Sequence, residues 1–413
     1  MSSVPSTSPR VFVARQPILD RTGRVFGYEL LHRDPSAHAV RRAVSDDRAT
    51  ARILTDGVLA IGFDALTGGR RAVINVSRQF LLDGIPPGLP TSSVIFGIGA
   101  DIEADAAVVA ACEALRREGY GLALDSYLLV AANAEMLALA THLRIDFVDI
   151  PTQAGRRRLV AGAPSHVELV ATHVETPDRF QEAVAEGYHY FQGSFFGRPA
   201  IKEGRNVPAQ QLAQLRLLRA LNDPNLSVHQ LAELIKPDPS MCYRLLRAVN
   251  SARLALQTTV SSISEALVLL GRDTIRRWVS LWSLASLGNG AGGALLQTAS
   301  LRGRFCELLG DHTGRDDAEG FLLGLCSMLD AILEQPLAAI LEELPLAPAM
   351  KAALVGEDNF QSRLLRCAIA WEQGEWDEAI ELAEAAGIDP SILPGTYAAA
   401  LRWANELDEL SAA

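Results

Sequence analysis

The feature that most constrains this chain is a change of period at Pro199. Up to that residue, short strand-like runs alternate with helical stretches. Beyond it, apolar residues recur almost without interruption at helical spacing. The strand-like runs are Val11–Arg15, Arg24–Leu31, Ala72–Val76, Val94–Ile98, Leu122–Leu124, Phe147–Ile150, Val167–Ala171 and Tyr188–Phe191. Helical patterns cover Ala49–Ile61, Ala104–Glu118, Val130–Thr141 and Asp178–Glu186. The turn-forming Asp20-Arg21-Thr22-Gly23 joins the first two strands. Strands that alternate with helices predict a parallel sheet, and the pattern alone leaves a closed barrel and an open doubly wound sheet nearly equal. The run Gly187–Pro199 packs aromatic residues between glycines. It reads as a last buried strand, a turn and a segment lying beside a ligand mouth.

After Pro199 the residues Lys202–Asn206 read as a linker, and Pro208–Leu221 opens a helical series. Asn222-Asp223-Pro224-Asn225 breaks it, Ser227 is placed to cap Val228–Ile235, and Pro237-Asp238-Pro239 breaks it again before Ser240–Asn250. Further helical segments are Ser262–Leu270, Asp273–Leu287, Leu295–Leu309, Ala318–Leu333, Ser362–Gln373, Trp376–Ala386 and Ser391–Leu407. The organisation expected is a disordered tail (1–10), an α/β domain (11–200), a linker (201–207) and an all-helical domain with a C-terminal extension (208–413). A length of 413 residues agrees with two cores rather than one.

No run approaches the length of an uncharged membrane span. The polar, Ser/Pro-rich Met1–Arg10 lacks the apolar core of a signal peptide, so a cytoplasmic location is expected. The five cysteines are odd in number and widely spaced, which predicts buried free thiols in a reducing compartment. The net charge is −11, with 20 basic and 22 acidic residues through Ala200 and 18 and 27 after it. An acidic second domain argues against a broad nucleic-acid surface. Arg272, Arg276 and Arg277 form a local basic face, read as a solvated helix face with a docking patch for an acidic partner as the alternative. Trp278 and Trp282 share one helix face, which core packing explains. Beyond the first domain only His229 and His312 occur, without metal-ligand spacing.

Several motifs, in order from Val11 to Pro199, resemble the EAL family, the cyclic di-GMP phosphodiesterase fold. They are Gln16-Pro17-Ile18, Gly27-Tyr28-Glu29-Leu30-Leu31-His32-Arg33 with Leu30 in place of the signature alanine, and Ile74-Asn75-Val76-Ser77. Leu124-Asp125, Val174-Glu175-Thr176 and Phe191-Gln192-Gly193 follow. The resemblance implies a TIM-like barrel with its site at the strand C-termini. Two-metal phosphodiester hydrolysis needs oxygen ligands converging on both ions, and a lysine stands beside the water in that family. The resemblance carries vestigial ligand positions onto Glu29, Asn75, Asp125, Asp146 and Glu175. Other positions are lost. A glutamate position reads Gly97, the second aspartate of a pair reads Ser126, and the glutamate before Val174 reads Thr172. The segment Asp146–Pro151 puts Asp149 at the lysine and Pro151 at the final aspartate.

Such losses imply a degenerate, inactive phosphodiesterase-like domain with no catalytic residues and no bound metal. Mg or Mn would enter only if Glu29, Asn75, Asp125 and Asp149 sustained residual hydrolysis. Gln16, Glu29, Arg33 and Gln192 are candidate nucleotide contacts, with Arg33 able to pair with a phosphate. The alternative is that they buttress the mouth, Gln192 through backbone hydrogen bonds and Arg33 through Glu29 or a neighbouring carboxylate.

The runs Leu226–Ile235, Asp238-Pro239-Ser240, Leu245–Ser251 and Ser262–Gly271 resemble an HDOD domain, a family similar to HD phosphohydrolases but without their histidine-aspartate ligands. The chain contains no His-Asp dipeptide. An EAL-like barrel followed by an HDOD array is similar to a class of bacterial signalling proteins. The resemblance implies a non-enzymatic adaptor of the cyclic di-GMP network that contacts other signalling or motility proteins. A receptor that binds cyclic di-GMP weakly without cleaving it is the second reading, and a residual phosphodiesterase the third. Neither nucleic acid nor membrane is an expected partner, and the oligomeric state is left open.

Overall fold

The computed structural model describes residues 12–33, 62–84, 89–125, 134–197, 227–235, 242, 245, 249, 260, 263–287, 293–314, 320–333, 335–343 and 346–412. The expected helices Ala49–Ile61 and Pro208–Leu221, the linker 201–207 and Ser126 lie outside them. The chain divides into two compact units between Arg198 and Pro199, with Ala370–Asp377 belonging to the first.

The first unit is a closed barrel of eight strands in sequence order: β1 Phe12–Asp20, β2 Val25–Arg33, β3 Arg71–Val76, β4 Val94–Ile98, β5 Gly121–Asp125, β6 His142–Asp146, β7 Glu168–Thr172 and β8 Tyr190–Gln192. The described helices around it are α1 Phe63–Thr67, α2 Arg78–Asp83, α3 Ala106–Glu118, α4 Ala134–Leu139, α5 Gln153–Gly162 and α6 Pro177–Glu186. Two expectations need correction. The sheet is not wholly parallel, because β1 runs antiparallel to both β2 and β8. The reason lies in the turn after β1. Asp20 Oδ1 accepts from Thr22 N (2.7 Å), Thr22 Oγ1 (2.7 Å) and Arg24 N (3.0 Å), and Gly23 takes φ 78°. A connection this tight can join only antiparallel strands. Burial alone would raise the Asp20 carboxyl, but these bonds hold it below its usual value.

The second correction concerns β6, which spans His142–Asp146 rather than Phe147–Ile150. The later residues make a turn: Asp146 Oδ1 accepts from Val148 N (2.7 Å) and Asp149 N (3.3 Å), and Asp146 O accepts from Ile150 N (3.0 Å). Phe147 N makes the last bond to β7, to Thr172 O (3.0 Å), and its ring packs edge-on to Tyr188 and under the Arg156 guanidinium. The predicted helix Val130–Thr141 correspondingly ends at Leu139, and Thr141 N already donates to Leu122 O (2.9 Å).

Inside the barrel, Ile18, Val73, Ile95, Ala123 and Val170 form an apolar layer against Phe26 and Tyr190. The rings of Phe26 and Tyr190 stack with centroids 3.8 Å apart. Every member of the layer sits on a strand, so residues two positions away share its inward face.

The described elements beyond Pro199 are helices: α7 Val228–Ile235, α8 Ile263–Leu270, α9 Arg272–Leu287, α10 Gly293–Asp311, α11 Gly320–Cys326, α12 Leu329–Leu333, α13 Leu337–Glu343, α14 Pro348–Leu354, α15 Phe360–Gln373, α16 Trp376–Ala385 and α17 Leu393–Ala412, of which the end of α15 and the start of α16 fall in Ala370–Asp377. The expected single helix Ala318–Leu333 is broken at Ser327–Met328. There Ser327 Oγ donates to Gly324 O (2.7 Å) and accepts from the buried Arg302 Nη1 (2.9 Å). Trp278 and Trp282 are core residues with ring centroids 5.9 Å apart.

Arg277 departs from the solvated face expected of it. Its Nε donates to Glu307 Oε1 (3.1 Å) and Oε2 (3.0 Å), and Arg304 Nη1 reaches the same carboxylate at 2.7 Å. Glu307 on α10 is buried, so Arg277 turns inward to neutralise it. Cys112, Cys306, Cys326 and Cys367 are buried free thiols, and burial pushes Cys326 and Cys367 up to about 12. Among the described residues, no helix is long and apolar enough to cross a membrane.

Candidate functional site

Two residues from the apolar layer, toward the C-terminal end of the parallel strands, come Asn75 after Val73, Gly97 after Ile95, Asp125 after Ala123, Thr172 after Val170 and Gln192 after Tyr190. On the antiparallel β1 the equivalent step runs backwards, from Ile18 to Gln16, which pairs in register with Glu29. Strand periodicity therefore gathers polar residues from sites far apart in sequence onto one ring.

The ring is closed by side-chain bonds. Asn75 Nδ2 donates to Glu29 Oε1 at 2.7 Å. Gln192 Nε2 donates to Gln16 Oε1 (2.8 Å) and to Glu29 Oε2. At its centre stands a residue that the motif reading did not select, Arg144 of β6. Its Nη1 donates to Asn75 Oδ1 (2.7 Å) and lies 3.4 Å from Glu29 Oε1. Its Nε sits 2.8 Å from Asp125 Oδ1, an ion pair by distance although the N–H is not aimed at that oxygen. The side chains of Arg144 and Glu29 are only 11% and 12% exposed. Burial raises the Asp125 carboxyl above its usual value, the neighbouring Glu29 adds to the rise, and Arg144 opposes it without cancelling it.

Gly97 explains how the guanidinium fits. A Cβ at this position would lie 2.2 Å from Asn75 Oδ1 and 3.1 Å from both Arg144 Nη atoms. The missing side chain at 97 and the large one at 144 occupy the same volume.

The remaining predicted positions are distributed differently. Asp149 and Pro151 are exposed on the turn beyond β6, so neither stands in the ring; the β6 residue that does is Arg144. Strict alternation of His142, Arg144 and Asp146 against Leu143, Ile145 and Phe147 was the signal that could have found it. Arg144 is a cation beside Glu29, and the backbone of Arg33 ends β2 opposite Phe12. Gln192 acts through its side chain rather than through backbone bonds alone. Glu175 is exposed on the loop after β7. Gly193 takes φ 151°, and a Cβ there would lie 2.0 Å from Val174 O, so the residue after Gln192 must be glycine.

Asp146 has become a turn cap. Besides the two backbone N–H groups, its Oδ2 lies 2.9 Å from Nδ1 of His173, a non-glycine residue at φ 54°. Burial pushes its carboxyl up, but His173 and the N–H groups of Val148 and Asp149 outweigh that and hold it below its ordinary value. A depressed carboxyl gives stability that is present above the unfolded aspartate value and is lost as pH falls through the folded value. Asp146→Ala is expected to cost about 1 kcal/mol near neutral pH, from loss of the cap. Urea titrations at neutral and acidic pH should show that the difference from wild type shrinks in acid.

The donor set does not fit a two-metal centre. Gly97 and Thr172 supply no carboxylate, and a guanidinium already contacts Glu29, Asn75 and Asp125. Among the described residues, no group of three or more His, Cys, Asp or Glu is placed to hold a metal ion.

Comparison with known proteins places these features in context. The HDOD domain family model matches residues 207–347. The chain is 30% identical over 407 residues to the Bacillus subtilis protein YuxH, covering 96% of this chain and 99% of that protein. It is also 30% identical over 405 residues to the cyclic di-GMP phosphodiesterase CdgJ of Vibrio cholerae, covering 97% and 93% respectively. Among solved structures, the Klebsiella pneumoniae BlrP1 manganese/cyclic di-GMP complex at pH 6 matches with TM-score 0.37 and 21% identity, over 46% of this chain and 56% of that one. The Bacillus subtilis EAL-domain protein YkuI, in complex with cyclic di-GMP and calcium, matches with TM-score 0.35 and 17% identity, over 55% and 72%.

Proposed function

The chain belongs to the EAL–HDOD family, and from that premise we propose that it is a catalytically inactive adaptor of the cyclic di-GMP network that works by protein–protein contact. The observation that most supports this reading is the Arg144 guanidinium, seated among Glu29, Asn75 and Asp125 where hydrolysis would need open ligands. Converging oxygen donors stabilise a phosphodiester transition state only if they hold metal ions, and a fixed cation among them competes for the same lone pairs. Gly97 and Thr172, at positions where the EAL resemblance implies carboxylates, supply none. Without a catalytic task, the barrel and the helical unit serve as surfaces for other signalling or motility proteins.

Similarity to a relative named as a cyclic di-GMP phosphodiesterase favours a second reading, residual hydrolysis. One experiment separates the two. Purified full-length protein is incubated with cyclic di-GMP and Mg2+ or Mn2+, the products are resolved by chromatography, and binding is followed by calorimetry. The expected result is turnover at least about 10⁴-fold below that of an intact two-metal site, because each missing electrostatic element is commonly worth a factor of 10²–10³. Turnover with Mn2+ that disappears in Glu29→Ala would establish the hydrolase instead. Micromolar binding without cleavage would make the barrel a receptor, with Gln16 and Gln192 the side chains to replace next.

A further inference from the structure

The ring at the barrel mouth holds two acidic side chains, Glu29 and Asp125, and the guanidinium of Arg144 contacts both. We propose that Arg144 is a tethered cation that takes the place of a divalent ion at this mouth, with Gly97 the seat that admits it. The inference deepens the adaptor reading at the same site, and it makes the order of the mouth independent of metal.

Three features carry it. First, the guanidinium engages an amide oxygen and two carboxylates from three other strands, the kind of multi-strand clamping for which a metal ion is otherwise used. A flat fork that donates from Nη1 and sets Nε at ion-pair distance spans such partners, whereas an ammonium acts as a point charge. Second, Asn75 and Gly97 are register partners on β3 and β4. A carboxylate-bearing side chain at 97 would meet both Asn75 Oδ1 and the two Nη atoms. A glutamate at 97 would therefore require Asn75 Oδ1 to leave its place and the guanidinium to shift from the seat it holds. Third, Gly97 offers no ligand where the guanidinium adds a positive charge, and both features disfavour metal binding at this mouth. A tethered cation also differs from a bound one in that chelators cannot remove it.

The test is thermal melting of the barrel in the full chain, in EDTA and in millimolar Mn2+, with no nucleotide present. Wild type is expected to melt at the same temperature in both. Arg144→Met should melt about 8 °C lower in EDTA, since two carboxylates lose their cation, and should regain about 3 °C in Mn2+. Arg144→Lys keeps a charge but not the fork, so it should fall between the two and gain nothing from Mn2+. Should Arg144→Met fail to fold, Gly97→Ala provides the same reading in milder form, because its Cβ displaces Asn75 Oδ1, the oxygen that accepts from Arg144, and crowds both Nη atoms. It should melt below wild type and acquire a Mn2+ response. The proposal is overturned if wild type gains stability in Mn2+ and Glu29→Gln abolishes that gain. It is equally overturned if the Met or Ala variant melts with wild type, or shows no response to Mn2+. A wild type that cleaves cyclic di-GMP would sink the adaptor reading, whereas these melting curves judge the tethered cation separately.

Discussion

Arg156→Met is expected to cost the barrel about 3–5 kcal/mol. Arg156 on α5 is completely buried, and each of its five N–H groups has an acceptor. Nε and Nη2 form a bidentate pair with Glu186 on α6 at 3.0 and 2.8 Å, and Nη2 also reaches Glu182 at 3.1 Å. Nη1 donates to Ile150 O (3.3 Å) and Pro151 O (3.0 Å), while the guanidinium carbon lies 4.1 Å from the Phe147 ring centroid. Methionine preserves much of the volume but leaves the Glu186 side chain, also 0% exposed, as an unpaired buried charge. Ile150 O loses its side-chain donor at the same time, and Pro151 O keeps only the 3.3 Å bond from Arg179 Nη1. Chemical denaturation of the single variant checks the size of the loss, and the double variant Arg156→Met/Glu186→Leu checks its cause. Removing both charges should recover most of the stability, because an apolar pair of similar volume often replaces a buried ion pair at little cost. A single variant within about 1 kcal/mol of wild type would show that the pair is not what holds the turn.

In the helical unit the corresponding result is that Gly324→Ala costs about 3 kcal/mol or more, although alanine is the better helix former by about 1 kcal/mol. A Cβ at Gly324 on α11 would lie 2.5 Å from both Cα and N of Gly303 on α10, and 2.6 Å from the carbonyl carbon of Arg302. All three are backbone atoms, so relief requires moving one helix away from the other. Gly303 and Gly320 line the same crossing: their added Cβ atoms would approach Phe321 O at 2.8 Å and Cys306 O at 3.0 Å. Gly395 on α17 is the control, since nothing lies within 4 Å of its added Cβ. Gly395→Ala should be neutral or stabilising by up to about 1 kcal/mol. Opposite signs for the two glycines, measured by urea denaturation, would tie the cost at 324 to helix contact. Similar signs would refute it.

Much of the architecture could be read from the chain alone, because it depends on local period. Val94–Ile98 as a strand and Val228–Ile235 as a helix coincide with the observed elements, since their bounds are set by residues within them or next to them. Several other strand and helix bounds differ by only a few residues. The turn at Asp20–Gly23 was visible too, but its consequence for strand direction follows only from the bonds Asp20 makes within the hairpin. β6 was placed too late because Phe147 and Val148 extend the apolar composition of a strand, whereas the Asp146 cap turns the chain once Phe147 N has made the last bond to β7.

The candidate site was half legible, and the division has a physical cause. Glu29, Asn75, Asp125 and Gln192 lie in motifs whose order along the chain gave them away. Arg144, Arg156 and Arg277 could not be assigned that way, because what defines each is a partner on another element. Arg144 meets Asn75 across 69 residues of sequence, Arg156 meets Glu186 across 30, and Arg277 meets Glu307 across 30. By itself the sequence determined which residues of one element share a face, since that depends on a period of two or 3.6 within it. Only the tertiary structure decided which inward charges meet, since that depends on the register and closure of strands and the crossing of helices.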